Sequence, residues 1–364
     1  MMWLMKEKND VKILYLMNVD WAWIAQRPHF LAIELGKYFD LTVVYLKQYI
    51  KRWKSQRTVI QTNKEAHGIY FPKQEHIKVL EKLSDWSFQR AMGNLDKYDI
   101  IWVGDPLYFK LIKNYNGKII YDCMDNNAAF ADTKKRELEI QRAEQALFQR
   151  ADYIFCSSLF LKNLIVNKID ATKISLLRNG FCYSNVRPVK KAKIKPKYKL
   201  GYIGTISSWM DFDILRAALD NYENIEIHMI GPKAEQIKKE YHERLFFDGV
   251  VEHNDLYKKI EDYDCLIMTF HVNEITLAVD PVKLYEYISF GKCILSVYYE
   301  EIKRFENMVY FYHNTQEFLD QIKMLSEIGF PASYNENMQK NFLNQNSWEL
   351  RGTTVRDIIY EFNK

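Results

Sequence analysis

Short apolar runs alternate with amphipathic segments along nearly the whole chain, and this alternation restricts the fold more than any other feature. "VKILYLM", "LTVVYL", "GIYF", "DIIWVG", "KIIYDC", "DYIFCSS" and "KISLLR" lie in the first half. "KLGYIG", "IEIHMIG", "LFFDGVV", "DCLIMTF", "CILSV" and "MVYFY" follow in the second. Strand-length runs separated by helical stretches, such as 28–38, 84–96 and 132–150, are the pattern of an α/β protein with parallel sheets. A chain of 364 residues is too long for one ordinary core, so two domains are expected. The proline- and lysine-rich segment near 185–198 reads as the linker between them, giving domains over 1–185 and 186–346. Ser347 then reads as the cap of a closing amphipathic helix.

Composition narrows the class. With 48% hydrophobic and 27% charged residues the chain is a folded soluble protein, and no run reaches the length of a membrane span. "MMWLM" is too short for a signal core. The five cysteines are scattered without a Cys-x-x-Cys pair, which predicts packed thiols in a reducing cytoplasm rather than a disulfide framework or a zinc site. A net charge of +4 does not argue for nucleic acid. The stretch "LKQYIKRWKSQR" (46–57) nevertheless interleaves Lys47, Lys51, Arg52, Lys54 and Arg57 with Tyr49 and Trp53. That pattern suits an anionic membrane surface; single-stranded nucleic acid would accept it, and a solvated helix would show it too. The second basic run, "VKKAKIKPKYK", reads as a solvated linker.

In parallel sheets ligands bind beyond the carboxyl ends of the strands, so the loops there are the candidate sites. After the first strand comes "NVDWAWIAQRPHFLAIELG", which crowds Asp20, Trp21 and Trp23 into a loop before a helix opened by Pro28. A helix start offers N–H groups to an anion. His29, in its first turn, is read equally as a packed histidine. No Gly-x-Gly-x-x-Gly and no Walker lysine motif are present, so a dinucleotide cofactor is not expected. After "KIIYDC", Asp122 and Asp125 stand at a strand end where a carboxylate can serve as general base, although "DNN" also fits an Asx-turn. "YIGTISSW" offers Gly204 and Thr205 in a loop able to approach a phosphate closely. In "GVVEHNDLYKKI", His253 and Asn254 stand where a base edge could be held, or where a plain cap would form. "FHVNEITLAVDP" (270–281) is a polar loop, long for a strand-to-helix connection.

"DPVKLYEYISFGKCILS" (280–296) is the most informative stretch. Asp280 fits a cap, Pro281 a first helical residue, and Gly291 a left-handed stop before a buried strand. Lys283 and Glu286 share one helical face, which fits either a surface ion pair or a cation for phosphate beside a carboxylate for ribose hydroxyls.

This block resembles the proline–lysine–glutamate–glycine signature of GT-B glycosyltransferases, close to the family 4-like bacterial enzymes that build surface polysaccharides. "WIAQRPHFLAIELGKYF" is similar to the start of the teichuronic-acid-type branch. "IIYDCMDNNAAF", "LLRNGF", "GYIGTISSWMDFDIL" and "NSWELRG" follow in the same order, so the resemblance runs from Trp23 to about Trp348. It implies two Rossmann-like domains facing across a cleft, with the closing helix 347–364 crossing back to the first. It implies an acceptor-binding first domain and a second domain that holds the nucleotide sugar, with a UDP-sugar the expected donor and neither a further cofactor nor a metal. On this resemblance Glu286 binds the ribose hydroxyls and Lys283 reaches the diphosphate or sugar. Gly204, Thr205, His253, Asn273 and Thr276 join them on the donor side. Asp125 faces the acceptor as the catalytic base beside Lys283, and Asp20, Trp21, Arg27 and His29 line the acceptor side.

The chain departs from the retaining family 4 pattern at two places. Ala278 stands where that pattern has a glutamate, and "TISSWMDF" lacks its cationic pair; Lys283 can compensate for the second loss. The stereochemical outcome is therefore open, and inversion with Asp125 as base is one course. The expected function is transfer of a sugar from a nucleotide-diphosphate sugar to a lipid-linked or glycan acceptor at the inner face of the cell membrane. A nucleotide-sugar epimerase of the same fold and a non-catalytic nucleotide-sugar-binding protein are the alternatives.

Overall fold

The computed structural model describes residues 9–21, 25–47, 63–66, 78–182, 186–234, 237, 242–251 and 253–362. The chain divides into two compact units, one made of Met1–Asn179 with Trp348–Lys364 and the other of Gly180–Ser347.

In the first unit the strands are β1 (Asn9–Met17), β2 (Phe39–Leu46), β3 (Asn63–Ala66), β4 (Ile100–Val103), β5 (Lys118–Cys123), β6 (Tyr153–Cys156) and β7 (Ile174–Leu176). They pair in parallel in the order β3-β2-β1-β4-β5-β6-β7. The helices α1 (Arg27–Leu35), α2 (Lys78–Met92), α3 (Lys134–Arg150) and α4 (Leu159–Ile165) connect them. Burial of every residue of β4 explains its unbroken apolar run, because helices cover both faces of a parallel sheet. Tyr15, Trp102 and Phe155 centre the core, Trp102 lying 5.3 Å from the Phe155 ring in a stacked arrangement. β3 reads "NKEA", too polar to be recognised as a strand; "GIYF", which was expected as one, lies outside the described residues. α2 begins at Lys78, earlier than the expected 84.

The second unit pairs β8 (Tyr198–Ile203), β9 (Ile225–Ile230), β10 (Leu245–Gly249), β11 (Cys265–Met268), β12 (Cys293–Val297) and β13 (Tyr310–Tyr312). The order is β10-β9-β8-β11-β12-β13, again parallel. Its helices are α5 (Phe212–Asn221), α6 (His253–Glu261), α7 (Glu274–Leu277), α8 (Val282–Ser289), α9 (Thr315–Glu327) and α10 (Glu336–Gln345). In each sheet the strand order reverses beside its first strand, at β1/β4 and at β8/β11, and such switch points are where these sheets bind ligands.

The closing helix α11 (Trp348–Phe362) belongs to the first unit. Trp348 stacks on Phe30 at 5.3 Å, and a Cβ on Gly352 would stand 2.6 Å from the Glu34 Cβ, so α11 packs tightly on α1. Ser347 pairs with Phe181 in a parallel bridge of the second unit. That bridge, with Phe181 in the second core, goes with the division of the units at Asn179/Gly180. The basic segment is not free chain. Lys190 and Lys195 reach Asp264 at 3.2 and 2.7 Å, and a Cβ on Gly291 would lie 2.2 Å from the Pro188 carbonyl oxygen. Gly291 does take the expected positive φ, at 66°. Of the cysteines, Cys182 alone is exposed.

Candidate functional site

In the first unit a buried charge cluster forms where β1, β5 and β7 end. Arg27, the first residue of α1, is 5% exposed and directs its guanidinium at Asp122 at the end of β5. Nη2 donates to Asp122 Oδ1 at 2.7 Å and Nε to both carboxylate oxygens at 3.1 Å. Nη1 donates to the Leu177 carbonyl at 2.7 Å and to Asn179 Oδ1 at 3.3 Å, which ties α1 to the end of β7. A bidentate guanidinium–carboxylate pair of this kind is a rigid fixture. Arg27 and Asp122 are thus engaged with each other.

His29 is engaged within the unit as well. It is 1% exposed; its Nδ1 accepts from the Gln26 N–H at 3.1 Å, and its Nε2 lies 3.2 Å from the Asp20 carbonyl. With Trp21 5.2 Å from its ring, His29 caps α1 and holds the loop after β1. Asp20 and Trp21 are themselves buried in that loop.

Asp125, two residues beyond β5, differs from all of these. Among the described residues its carboxyl oxygens make no hydrogen bond to the chain, so the alternative of an Asx-turn does not form; only its backbone carbonyl accepts, from the Asn127 amide at 3.4 Å. Desolvation pushes this carboxyl up to about 7, against the pull of Arg27, and the Asp122 carboxylate adds to the rise. A half-buried carboxyl with an acidity near neutral has the property that general-base chemistry requires.

In the second unit the site forms at the β8/β11 switch point. Gly204 follows β8 with φ 139°, a conformation that only glycine adopts readily, and the Lys283 side chain lies directly against it. The ammonium of Lys283 stands 5.7 Å from the Tyr202 ring and 5.8 Å from the Phe270 ring, in cation–π range of both. Gly231 follows β9 with φ 140°, and a Cβ there would be 2.1 Å from the Gly204 carbonyl oxygen. Two glycines at neighbouring strand ends leave bare backbone in front of a lysine. Thr205 is exposed beside them, and its carbonyl accepts from the Tyr202 hydroxyl at 2.9 Å.

Glu286 lies one turn along α8 from Lys283. Among the described residues the two form no ion pair. Desolvation pushes the Glu286 carboxyl up to about 6, and the charge of Lys283 partly restrains it. The surface ion pair is thereby set aside, and both groups remain available to a ligand.

Three donor-side candidates stand at helix starts. Asn273 and Thr276 cap α7 reciprocally: Asn273 Oδ1 accepts from the Ile275 and Thr276 N–H groups at 3.0 and 3.1 Å, and Thr276 Oγ1 accepts from Asn273 N–H at 2.8 Å. Those oxygens are engaged, and Thr276 is 3% exposed. The long loop expected here therefore contains a helical turn. His253 opens α6, but its side chain lies outside the described residues. Asp280 is no cap either; it is 2% exposed and bound to Arg304 and to the Tyr285 hydroxyl, while Pro281 holds the cap position of α8. The sequence reading missed Gly231 and the Tyr202–Phe270 wall. The first has a signal, a Gly-Pro at the end of a predicted strand; the second has none short of the fold.

A scan against models of protein families gives no match. Among curated proteins, one described as "Putative teichuronic acid biosynthesis glycosyltransferase TuaH", from Bacillus subtilis (strain 168), is 26% identical over 273 residues, covering 68% of this chain and 68% of that protein. Among solved structures, sucrose-phosphate synthase from Thermosynechococcus elongatus superposes with a TM-score of 0.75 at 11% identity, over 97% of this chain and 99% of that one. Anabaena Alr3699/HepE, in complex with UDP and glucose, gives 0.68 at 13% identity over 96% and 99%. The lipopolysaccharide outer core galactosyltransferase WaaB gives 0.67 at 15% identity over 96% and 99%. The fold is that of GT-B glycosyltransferases.

Proposed function

We propose that this GT-B chain, a homologue of glycosyltransferases, transfers a sugar from a UDP-sugar to a hydroxyl of a lipid-linked or glycan acceptor in the synthesis of a bacterial surface polysaccharide. The observation that carries the reading is α8 at the β8/β11 switch point. Lys283 lies over the bare backbone of Gly204, with an unpaired Glu286 one turn on. A cation in front of glycine backbone suits a diphosphate, and a carboxylate at that distance along the helix suits a ribose diol. The choice of UDP is supported by HepE, which shares the fold and was solved with UDP and glucose. The surface-polysaccharide assignment is supported by the description of the Bacillus relative.

In the reaction the acceptor oxygen forms a bond to the anomeric carbon as the bond from that carbon to the diphosphate oxygen breaks. Asp125 takes the proton of the acceptor hydroxyl. Negative charge grows on the leaving diphosphate, and Lys283 with the N–H groups at the start of α8 offsets it. Desolvation holds the Asp125 acidity near neutral, with Arg27 lowering it and Asp122 raising it.

The peripheral-membrane reading belongs here as well. Beyond Lys47 the stretch 46–57 lies outside the described residues. The exposed face of α2 supports the reading: Val79, Leu83 and Trp86 are 65%, 44% and 58% exposed at helical spacing, with Arg90 5.5 Å from the Trp86 ring. Among the described residues no helix is long and apolar enough to cross a membrane.

The test is thermal unfolding with UDP, GDP, dTDP and their common sugar conjugates. A ligand at a hundred times its Kd adds about 2.7 kcal/mol, a readable shift. Stabilisation by UDP and one UDP-sugar is expected, and its absence with every nucleotide would sink the reading. Sedimentation with phosphatidylglycerol vesicles, lost with phosphatidylcholine vesicles or at high salt, tests the membrane part.

A further inference from the structure

A cavity of about 440 Å³ opens in the first unit between α3 and α4 and reaches Asp125. Its floor is apolar: Phe148, Leu161 and Ile165 are 7%, 3% and 3% exposed there. One wall is a row of amides. Gln141, Gln145 and Gln149 recur every four residues on α3, so they share a face and span about 12 Å. Gln141 donates to Glu137 at 3.1 Å, while the Gln145 and Gln149 amides make no hydrogen bond within the described residues.

The ionic content of the cavity says what it does not hold. Asp125 and Glu144 line it with a single cation, Lys168. Glu144 accepts from the Tyr121 hydroxyl at 2.7 Å, and burial pushes its carboxyl up. A phosphate or uronate would face two acids against one lysine. An alkyl chain would have to strip water from the glutamines without replacing their hydrogen bonds. A sugar ring meets both surfaces, its hydroxyls giving and accepting bonds with amides that do both, and its C–H faces lying on the apolar floor.

We propose that the groove between α3 and α4 seats the acceptor, and that it takes a neutral, hydroxyl-rich glycan whose terminal hydroxyl comes to Asp125. This rests on the reading of Asp125 as the base, and it assigns Gln145 and Gln149 as acceptor-binding residues.

The experiment is methyl and side-chain amide NMR of the full chain, with and without saturating UDP. The titrants are maltose, cellobiose, lactose and chitobiose, with glycerol phosphate and glucuronate as anionic comparators. At least one neutral disaccharide should shift the Leu161 and Ile165 methyls and the Gln145 amide saturably. The double variant Gln145→Ala/Gln149→Ala should weaken that binding at least tenfold while leaving UDP binding unchanged. Shifts from the anions alone, no shift from any neutral sugar, or a double variant that binds as the wild type does would each overturn the proposal. The UDP titration separates the two readings: if UDP binds and no glycan does, only the groove assignment falls, and if UDP also fails to bind, the functional reading falls with it.

Discussion

The side chain of Lys283 occupies the space where Gly204 lacks one: a Cβ on Gly204 would stand 2.2 Å from the Lys283 Cε. Gly204→Ala therefore meets two obstacles, a backbone at φ 139° and a lysine that must leave. The variant should fold with a loss on the order of 1–3 kcal/mol from backbone strain. It should bind UDP at least tenfold more weakly than the wild type. Calorimetric titration checks this.

Asp125 gives a pH signature. Its folded value of about 7 lies above the ordinary carboxylate value, so the ionised form is the strained one. Below about pH 4 the carboxyl is neutral both folded and unfolded and contributes nothing; above pH 7 the full penalty applies. Asp125→Asn should accordingly stabilise the protein by about 1–2 kcal/mol at pH 8, the gain fading as pH falls from 7 towards 4, as denaturant unfolding at several pH values would show. The same substitution should remove transfer while sparing donor binding, and wild-type transfer should rise with pH through about 7.

Glu286 predicts the opposite side of the reaction. It must be a carboxylate to accept two ribose hydroxyls, and its value of about 6 means that UDP affinity should fall as pH drops from 7 to 5. Glu286→Gln should flatten that dependence. A wild-type affinity that does not change across this window would refute the assignment.

Arg27→Ala strands the Asp122 carboxylate, whose side chain has no solvent exposure. Removing one partner of such a pair costs about 3–5 kcal/mol, so the variant should unfold at a much lower denaturant midpoint. Adding Asp122→Leu should recover a large part of the loss. Where Arg27→Ala remains folded, the pH at which transfer rises should move up, because Arg27 holds the Asp125 carboxyl down.

The strand sequence of both sheets was legible because parallel strands covered on both faces are apolar along their whole length, as β4 and β12 are. β3 escaped because "NKEA" at a sheet edge carries no such pattern. Lys283, Glu286 and Gly204 were legible as residues, yet their contact joins positions far apart in the chain, and only the fold brings them together. Asn273, Thr276 and His29 were harder to read for one shared reason. Each is a polar residue next to a helix start, where a side chain that caps or holds the start looks the same in sequence as one that binds a ligand. Burial separates the two cases, and burial is a property of the folded chain.

The most direct test is calorimetric titration of UDP into the wild type, Glu286→Ala and Asp125→Asn at pH 8. The account predicts saturable binding to the wild type, affinity reduced roughly 10- to 100-fold in Glu286→Ala, as loss of a charged hydrogen-bonding group implies, and wild-type affinity in Asp125→Asn. Equal UDP affinity in the wild type and Glu286→Ala, or none in the wild type, would contradict it.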